Sequence, residues 1–106
     1  MDTIDAWAAV GDRTRRTVLT RVLDRPCSVT DLARDLPVSR PAVSQHLKVL
    51  LEARLVQVQP RGRERIYTAR LDGLAQLRQE LEAFWAQALT TFKHLAEDGY
   101  QQTGDR

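Results

Sequence analysis

Apolar positions along the chain change period twice, from helical to alternating and back. Ile4, Trp7, Ala8 and Val10 predict a short first helix with one apolar stripe. Gly11-Asp12 interrupts it, and Asp12 is a natural N-cap for a second helix in which Val18, Leu19, Val22 and Leu23 face a core. Arg25-Pro26 closes that helix. Ser28 then stands three residues before Asp31, a serine cap with an acid able to reach back to the cap's N–H. Val29, Leu32, Ala33 and Leu36 form the inward face of a third, two-turn helix. Pro37 ends it, because proline disfavours the helical conformation of the residue before it. Only Pro37-Val38 separates this helix from the next cap, Ser39, and Pro41 is tolerated in the turn that follows. The fourth helix spans about Arg40 to Ala53 and buries Val43, Leu47, Leu50 and Leu51. Two short helices joined by so tight a turn form a helix-turn-helix.

Leu55-Val56-Gln57-Val58-Gln59 alternates apolar with polar, the period of a half-buried strand. Pro60 to Glu64 reads as a turn and Arg65-Ile66-Tyr67-Thr68-Ala69 as the returning strand, a wing with arginine at its tip. From Asp72 to about Asp98 the helical period returns: Leu74, Leu81, Ala88 and Leu95 recur every seven residues, Leu77 and Phe84 follow two of them, and Trp85 and Phe92 widen the stripe. A helix of roughly 25 residues is about 37 Å long. A body this small cannot cover its whole stripe, so the excess apolar surface must meet another chain. The expected fold is mainly α with a small β-hairpin: a winged helix-turn-helix of about five helices and a two-stranded wing over residues 1–98, followed by a flexible polar tail at 99–106.

Charge sharpens the picture. The net charge is only +2, but residues 39–70 carry seven Lys/Arg against two Asp/Glu, whereas residues 1–38 balance and residues 71–106 are net acidic. A basic excess confined to the middle third is the footprint of a surface for a polyanion. No apolar run approaches the roughly 18 residues of a membrane span. Met1 to Val10 holds two Asp and no basic residue, unlike a secretory signal. The lone Cys27 excludes an internal disulfide framework and fits a reducing cytoplasm. The sequence holds no Gly-rich phosphate loop, no nucleophile–His–carboxylate set that the elements would unite, and no paired-carboxylate cleft. Neither an enzyme nor a cofactor is expected.

With Val43, Leu47 and Leu50 inward, Arg40, Ser44, Gln45 and Lys48 point outward, and Ser39 opens the same face. Arg can pair with guanine O6/N7, Gln with adenine N6/N7, and Ser with either type of base. Lys48, deeper in the helix, suits a phosphate, which positions without specifying. His46 lies between the core stripe and this face, and a packing hydrogen bond and a phosphate contact are equally open to it. Arg61, Arg63 and Arg65 would reach backbone or minor groove from the wing, although Arg65 alternates with Tyr67 and could instead be structural.

The run Val38-Ser39-Arg40-Pro41-Ala42-Val43-Ser44-Gln45-His46-Leu47-Lys48-Val49-Leu50, followed by Ala53-Arg54-Leu55-Val56, resembles the ArsR/SmtB family of winged-helix repressors. Gly11-Asp12-Arg13-Thr14-Arg15-Arg16 and the arginine-rich hairpin extend the resemblance over nearly the whole chain. Arg13 stands where the family often has proline, and Pro37 where its turn often has glycine. The resemblance implies a bacterial homodimer held by its first and last helices, through Ile4, Trp7, Leu74, Leu77, Leu81, Phe84, Trp85, Ala88, Phe92 and Leu95. It also implies a double-stranded palindromic operator read by the fourth helix of each protomer.

Many relatives sense metals. Here Ser28-Val29-Thr30-Asp31-Leu32 lacks both cysteines of the family's thiolate motif. His94-Leu95-Ala96-Glu97 matches only half of its dimer-helix motif, because Leu81-Glu82-Ala83 supplies no partner ligands. No metal site is expected. The Phe84-Trp85 pair resembles the metal-independent branch, some of whose members are controlled by their own expression level. A redox role for Cys27 and an organic effector in a crevice near Trp7, Phe84 and Trp85 stay open. The principal rival is a winged helix that serves as a protein-interaction module through its long last helix.

Overall fold

A computed structural model describes the backbone of residues 5–104 and the side chains of residues 5–99. Its elements follow in the order α1 (Ala6–Gly11), α2 (Arg13–Asp24), α3 (Val29–Asp35), α4 (Arg40–Glu52), β1 (Val56–Arg61), β2 (Glu64–Ala69) and α5 (Leu71–Gly104). This is a winged helix-turn-helix, five helices with a two-stranded antiparallel hairpin.

The caps fall where short polar side chains stand. Asp5 Oδ1 accepts from Ala8 N at 2.7 Å, and Asp12 ends α1 and caps α2 by accepting from Arg15 N at 2.8 Å. The Arg15 guanidinium reaches back to the Ala9 carbonyl at 3.3 Å, fastening the end of α1 to the start of α2. At α3 both halves of the capping box form: Asp31 N donates to Ser28 Oγ at 3.1 Å and Ser28 N to Asp31 Oδ2 at 3.0 Å. Such a cap contributes about 1 kcal/mol. Between α3 and α4 the Val38 N–H bonds the Leu36 carbonyl at 2.8 Å across Pro37, a three-residue turn that lets Ser39 begin the next helix at once.

One compact unit extends up to Ala75. Its core is Ala9, Val18, Leu19, Val22, Cys27, Leu32, Val43, Leu47, Leu50, Ala53, Leu55, Val56 and Tyr67. Cys27 and Tyr67 exchange backbone hydrogen bonds at 3.2 and 2.8 Å, which ties the loop before α3 to β2. Three expectations change. The buried side of α1 is Ala6, Ala9 and Val10, whose small side chains permit close approach, while Trp7 is 41% exposed. Leu23 is 49% exposed, because at 100° per residue it falls about 100° from the centre of the Val18–Leu19–Val22 stripe. Leu51 is half-buried at the edge of the core. Ile4 lies outside the described residues.

The hairpin is longer and its turn tighter than the alternation suggested. Arg61 pairs with Glu64, leaving Gly62-Arg63 as the turn, and Gly62 takes φ +65°. Two-residue hairpin turns need that left-handed conformation. The end of α4 is left-handed as well. Arg54 has φ +62°, its N–H bonds the Leu51 carbonyl and the Leu55 N–H bonds the Leu50 carbonyl, both at 3.0 Å. This is a Schellman closure with arginine where glycine is the strain-free choice, at a cost of roughly 1–2 kcal/mol.

The second unit, from Gln76, is the remainder of α5. The helix continues through Gly104, beyond the expected end near Asp98. Gly99 does not stop it, since a glycine inside a helix costs only about 1 kcal/mol relative to alanine.

Arg21 on α2 clamps Asp35 at the end of α3, Nη2 to Oδ2 at 2.9 Å and Nε to the same oxygen at 3.1 Å. That hydrogen bonding holds the Asp35 carboxyl below its ordinary range, and the Ser28 N–H does the same for Asp31. Both pKa values are depressed on folding, so their stabilisation is complete above the unfolded value of about 3.9 and is lost as pH falls through the folded values. In urea titrations the protein is expected to hold its midpoint down to about pH 4 and to lose stability below it. Asp35→Asn is expected to lower the midpoint at pH 7 and to converge with the parent in acid. An unchanged midpoint at neutral pH would show that the clamp contributes nothing.

Candidate nucleic-acid interface

The exposed polar face of α4 is created by its own core contacts. Val43, Leu47 and Leu50 are fully buried, and the helical period then turns Pro41, Ser44, Gln45, Lys48 and Glu52 to solvent. Arg40 is exposed in the first turn. Ser39 is exposed too, with Oγ accepting from Ala42 N at 3.3 Å, so it serves first as the helix cap. His46 is half-buried on the flank of this face, and the Arg15 N–H holds the capping carboxyl of Asp12 below its ordinary range. Glu52 is an acidic residue that the sequence reading left off this face.

The wing presents a second group. Val56, Val58, Tyr67 and Ala69 share one sheet face, with Pro60 opposite Arg65 at its far end. Arg65 therefore lies on the face of Tyr67 but is exposed where Tyr67 is buried. Arg61 stands opposite Glu64, an opposite-charge neighbour across the strands, and Arg63 occupies the turn itself.

The charge of these groups is free to act outward. Arg21 is paired with Asp35, Arg34 with Asp31 and Asp35, Arg70 with Asp72 and Arg78 with Glu82. Arg40, Lys48, Arg61, Arg63 and Arg65 are exposed and make no ion pair among the described residues. Arg13, Arg16, Arg25 and Arg54 elsewhere on the body are likewise exposed and make no ion pair among the described residues, so what sets α4 and the wing apart is that five such cations lie on two consecutive elements.

On α5, Leu81, Phe84, Trp85, Leu89, Phe92 and Leu95 are all at least half-exposed, with Phe84 at 70% and Phe92 at 71%. Leu89 was missed by the sevenfold spacing, although it lies four residues after Trp85 and three before Phe92. Phe84, Ala88, Thr91, Phe92 and Leu95 border one shallow open groove. Leu74 and Leu77 are half-buried, and Leu74 packs on the core of the first unit.

Comparison with known proteins agrees with this geometry. The family model described as bacterial regulatory protein, arsR family, matches residues 12–58. The chain is 53% identical over 92 residues to the HTH-type transcriptional regulator Rv2034 of Mycobacterium tuberculosis, covering 87% of this chain and 86% of that protein. Among solved structures it is similar to an ArsR-like transcriptional regulator from Rhodococcus sp. RHA1, with TM-score 0.67 and 35% identity over 85% of this chain and 88% of that one. It is also similar to a possible transcriptional regulator for arsenical resistance, with TM-score 0.69 and 39% identity over 80% and 85% of the two chains.

Cys27 remains to be placed. The residue is 1% exposed, and burial pushes its thiol pKa upward. A thiol is reactive as its thiolate, so both effects suppress its chemistry. In the native protein at neutral pH, a thiol reagent is expected to modify Cys27 only as fast as the protein unfolds, and urea should release the reaction. Rapid labelling without denaturant would contradict this placement.

Proposed function

The chain belongs to the ArsR family of bacterial regulatory proteins and is a DNA-binding transcriptional regulator, not an enzyme; from this premise we propose that it acts as a homodimeric repressor of a roughly palindromic operator. Among the described residues no helix is long and apolar enough to cross a membrane, and we place the protein in the cytoplasm. The observation that carries the reading is the set of unpaired cations beside the exposed polar face of α4.

In this reading α4 enters the major groove. Gln45, Arg40 and Ser44 address base edges, Lys48 and Ser39 the phosphates, and His46 the flanking backbone. Arg61, Arg63 and Arg65 hold the neighbouring backbone or minor groove from the wing. The α5 stripe and α1 are covered by a second copy of the chain. Each large apolar side chain carried from water into such an interface contributes about 1.5–3 kcal/mol. A two-fold dimer places its half-sites about one helical turn apart, and a dimer seated over promoter DNA excludes polymerase. Autoregulation is the simplest circuit, in which the protein covers its own promoter.

Selecting genomic fragments that bind the purified protein yields the operator and tests all of this together, since recovery of no common palindrome would refute the reading. On the recovered operator, affinity is expected to fall roughly 10³–10⁵-fold between 50 and 200 mM salt. Gln45→Ala is expected to cost about 1–3 kcal/mol and to relax preference at one base position, measured by competition with substituted duplexes. Arg63→Ala should weaken all duplexes alike and reduce the salt slope by about 1. An unaltered base preference in Gln45→Ala would remove α4 from the reading role.

Among the described residues Phe92 is the most exposed aromatic of α5, so its replacement costs the isolated chain little. Phe92→Asp is expected to sediment as a monomer with its helix content largely kept and its operator affinity lost. A dimeric Phe92→Asp would place the interface elsewhere.

A further inference from the structure

Six residues of α4 are exposed, Arg40, Pro41, Ser44, Gln45, Lys48 and Glu52, and Pro41 is the only apolar one among them. It stands in the first turn, three residues before Ser44 and four before Gln45, so it shares their face one turn nearer the helix start. Proline opens helices well, because its missing N–H is one that the first turn leaves unbonded and its φ is already helical. That preference accounts for the residue type and says nothing of what its ring meets. The same missing N–H denies Pro41 the backbone contact to phosphate that other first-turn residues offer. The amides that follow it are engaged within the helix start: the Ala42 N–H donates to Ser39 Oγ at 3.3 Å and the Val43 N–H to the Ser39 carbonyl at 2.9 Å. With no donor, acceptor or charge on its ring, Pro41 is left with van der Waals contact and the release of water.

The apolar landmark of the major groove is the C5-methyl group of thymine. We propose that Pro41 reads that methyl group and gives the protein a preference for thymine close to the base addressed by Gln45. This rests on the reading of α4 as the recognition helix and adds a specificity-determining residue to it. Pro41 and Gln45 are one turn apart, about 5.4 Å along the helix, and a base pair rises about 3.4 Å, so the thymine lies within about two base pairs of the Gln45 contact. Cytosine at the same position offers no methyl group and turns its N4 amino donor toward a ring that cannot accept from it. A donor left unpaired there is costly, so the discrimination runs against cytosine as well as against a bare pyrimidine. Hydrogen bonds from Arg40, Ser44 and Gln45 cannot supply this distinction, because the methyl group has nothing to donate or accept.

The test replaces thymine by uracil, one position at a time, in the recovered operator, which deletes a methyl group and leaves every hydrogen-bonding edge in place. The parent protein is expected to lose about fourfold in affinity at one thymine of each half-site, and about fifteenfold when both symmetry-related thymines are replaced. Pro41→Ser puts a polar side chain at a position where helix starts tolerate serine. It is expected to keep the parent's helix content by circular dichroism, to bind the thymine and uracil duplexes equally, and to retain the base preference set by Gln45. A parent protein with no methyl-sensitive thymine overturns the inference, and that result needs no variant. So does a Pro41→Ser that retains the parent's thymine-to-uracil ratio at any overall affinity, because a residue that only opens the helix affects both duplexes alike. A Gln45→Ala with the parent's base preferences removes α4 from the reading role and this inference with it. A parent-like ratio in Pro41→Ser beside a relaxed preference in Gln45→Ala removes this inference alone.

Discussion

The burial of Val43, Leu47 and Leu50 on one side of α4 is the constraint from which the rest follows. A helix that sinks residues at these spacings into a core has no freedom to rotate about its axis, since turning it by one position would bring Ser44 and Lys48 inside the body in place of Val43 and Leu47. The hydrophobic effect thus supplies the orientation of a polar face with which it makes no contact. Every neighbouring element serves that seat. Leu32 of α3 and Val18, Leu19 and Val22 of α2 provide the floor, and the Cys27–Tyr67 bridge ties the wing to the same core.

Electrostatics divides the surface differently. Arg21, Arg34, Arg70 and Arg78 are paired with carboxylates, the first two of them bracing α3, whereas the cations of α4 and the wing make no ion pair among the described residues. Surface pairs of this kind contribute little stability, so the pairing matters mainly for what it removes from the field. The net basic excess of the chain lies in residues 39–70, the stretch that holds α4 and the hairpin. Glu52 and Glu64 temper that surface at its margins, and Arg63, alone in the turn, is the least compensated of the wing residues.

Much of this was legible in the residues. The capping box of Ser28 and Asp31, the caps Asp12 and Ser39, and the stop at Pro37 act within a few residues of chain, so local chemistry determined them. The α4 face followed because three large apolar residues at helical spacing admit one orientation. Long-range packing was harder to read. In α1 the eye falls on Trp7, yet the residue that is fully buried is the small Ala9, while Trp7 is 41% exposed. Leu23 reads as core until the arc of its helix is measured. The left-handed Arg54 left no trace in the sequence, since arginine is a poor residue for that conformation and only the closure of α4 onto Leu55 reveals it. Exposure of Arg40, Ser44, Gln45, Lys48 and the wing arginines agrees with the periodicity, whereas Leu74, read as part of an outer stripe, is half-buried against the core.

Dimerisation and DNA affinity are one problem in the proposed assembly. A single protomer offers the five unpaired cations of α4 and the wing. The salt slope grows by about 0.9 for each phosphate neutralised, so joining two protomers doubles the exponent and not merely the contact area. Once one half-site is occupied in the proposed dimer, the second is engaged intramolecularly, at an effective concentration above that of free protein. The apolar stripe of α5 thus acts on DNA without touching it: burying Phe84, Trp85 and Phe92 turns two weak, sequence-tolerant contacts into one steep and selective one. Because association depends on protomer concentration, the same interface makes operator occupancy respond to the cellular level of the protein, and an autoregulated repressor can use that response without any ligand.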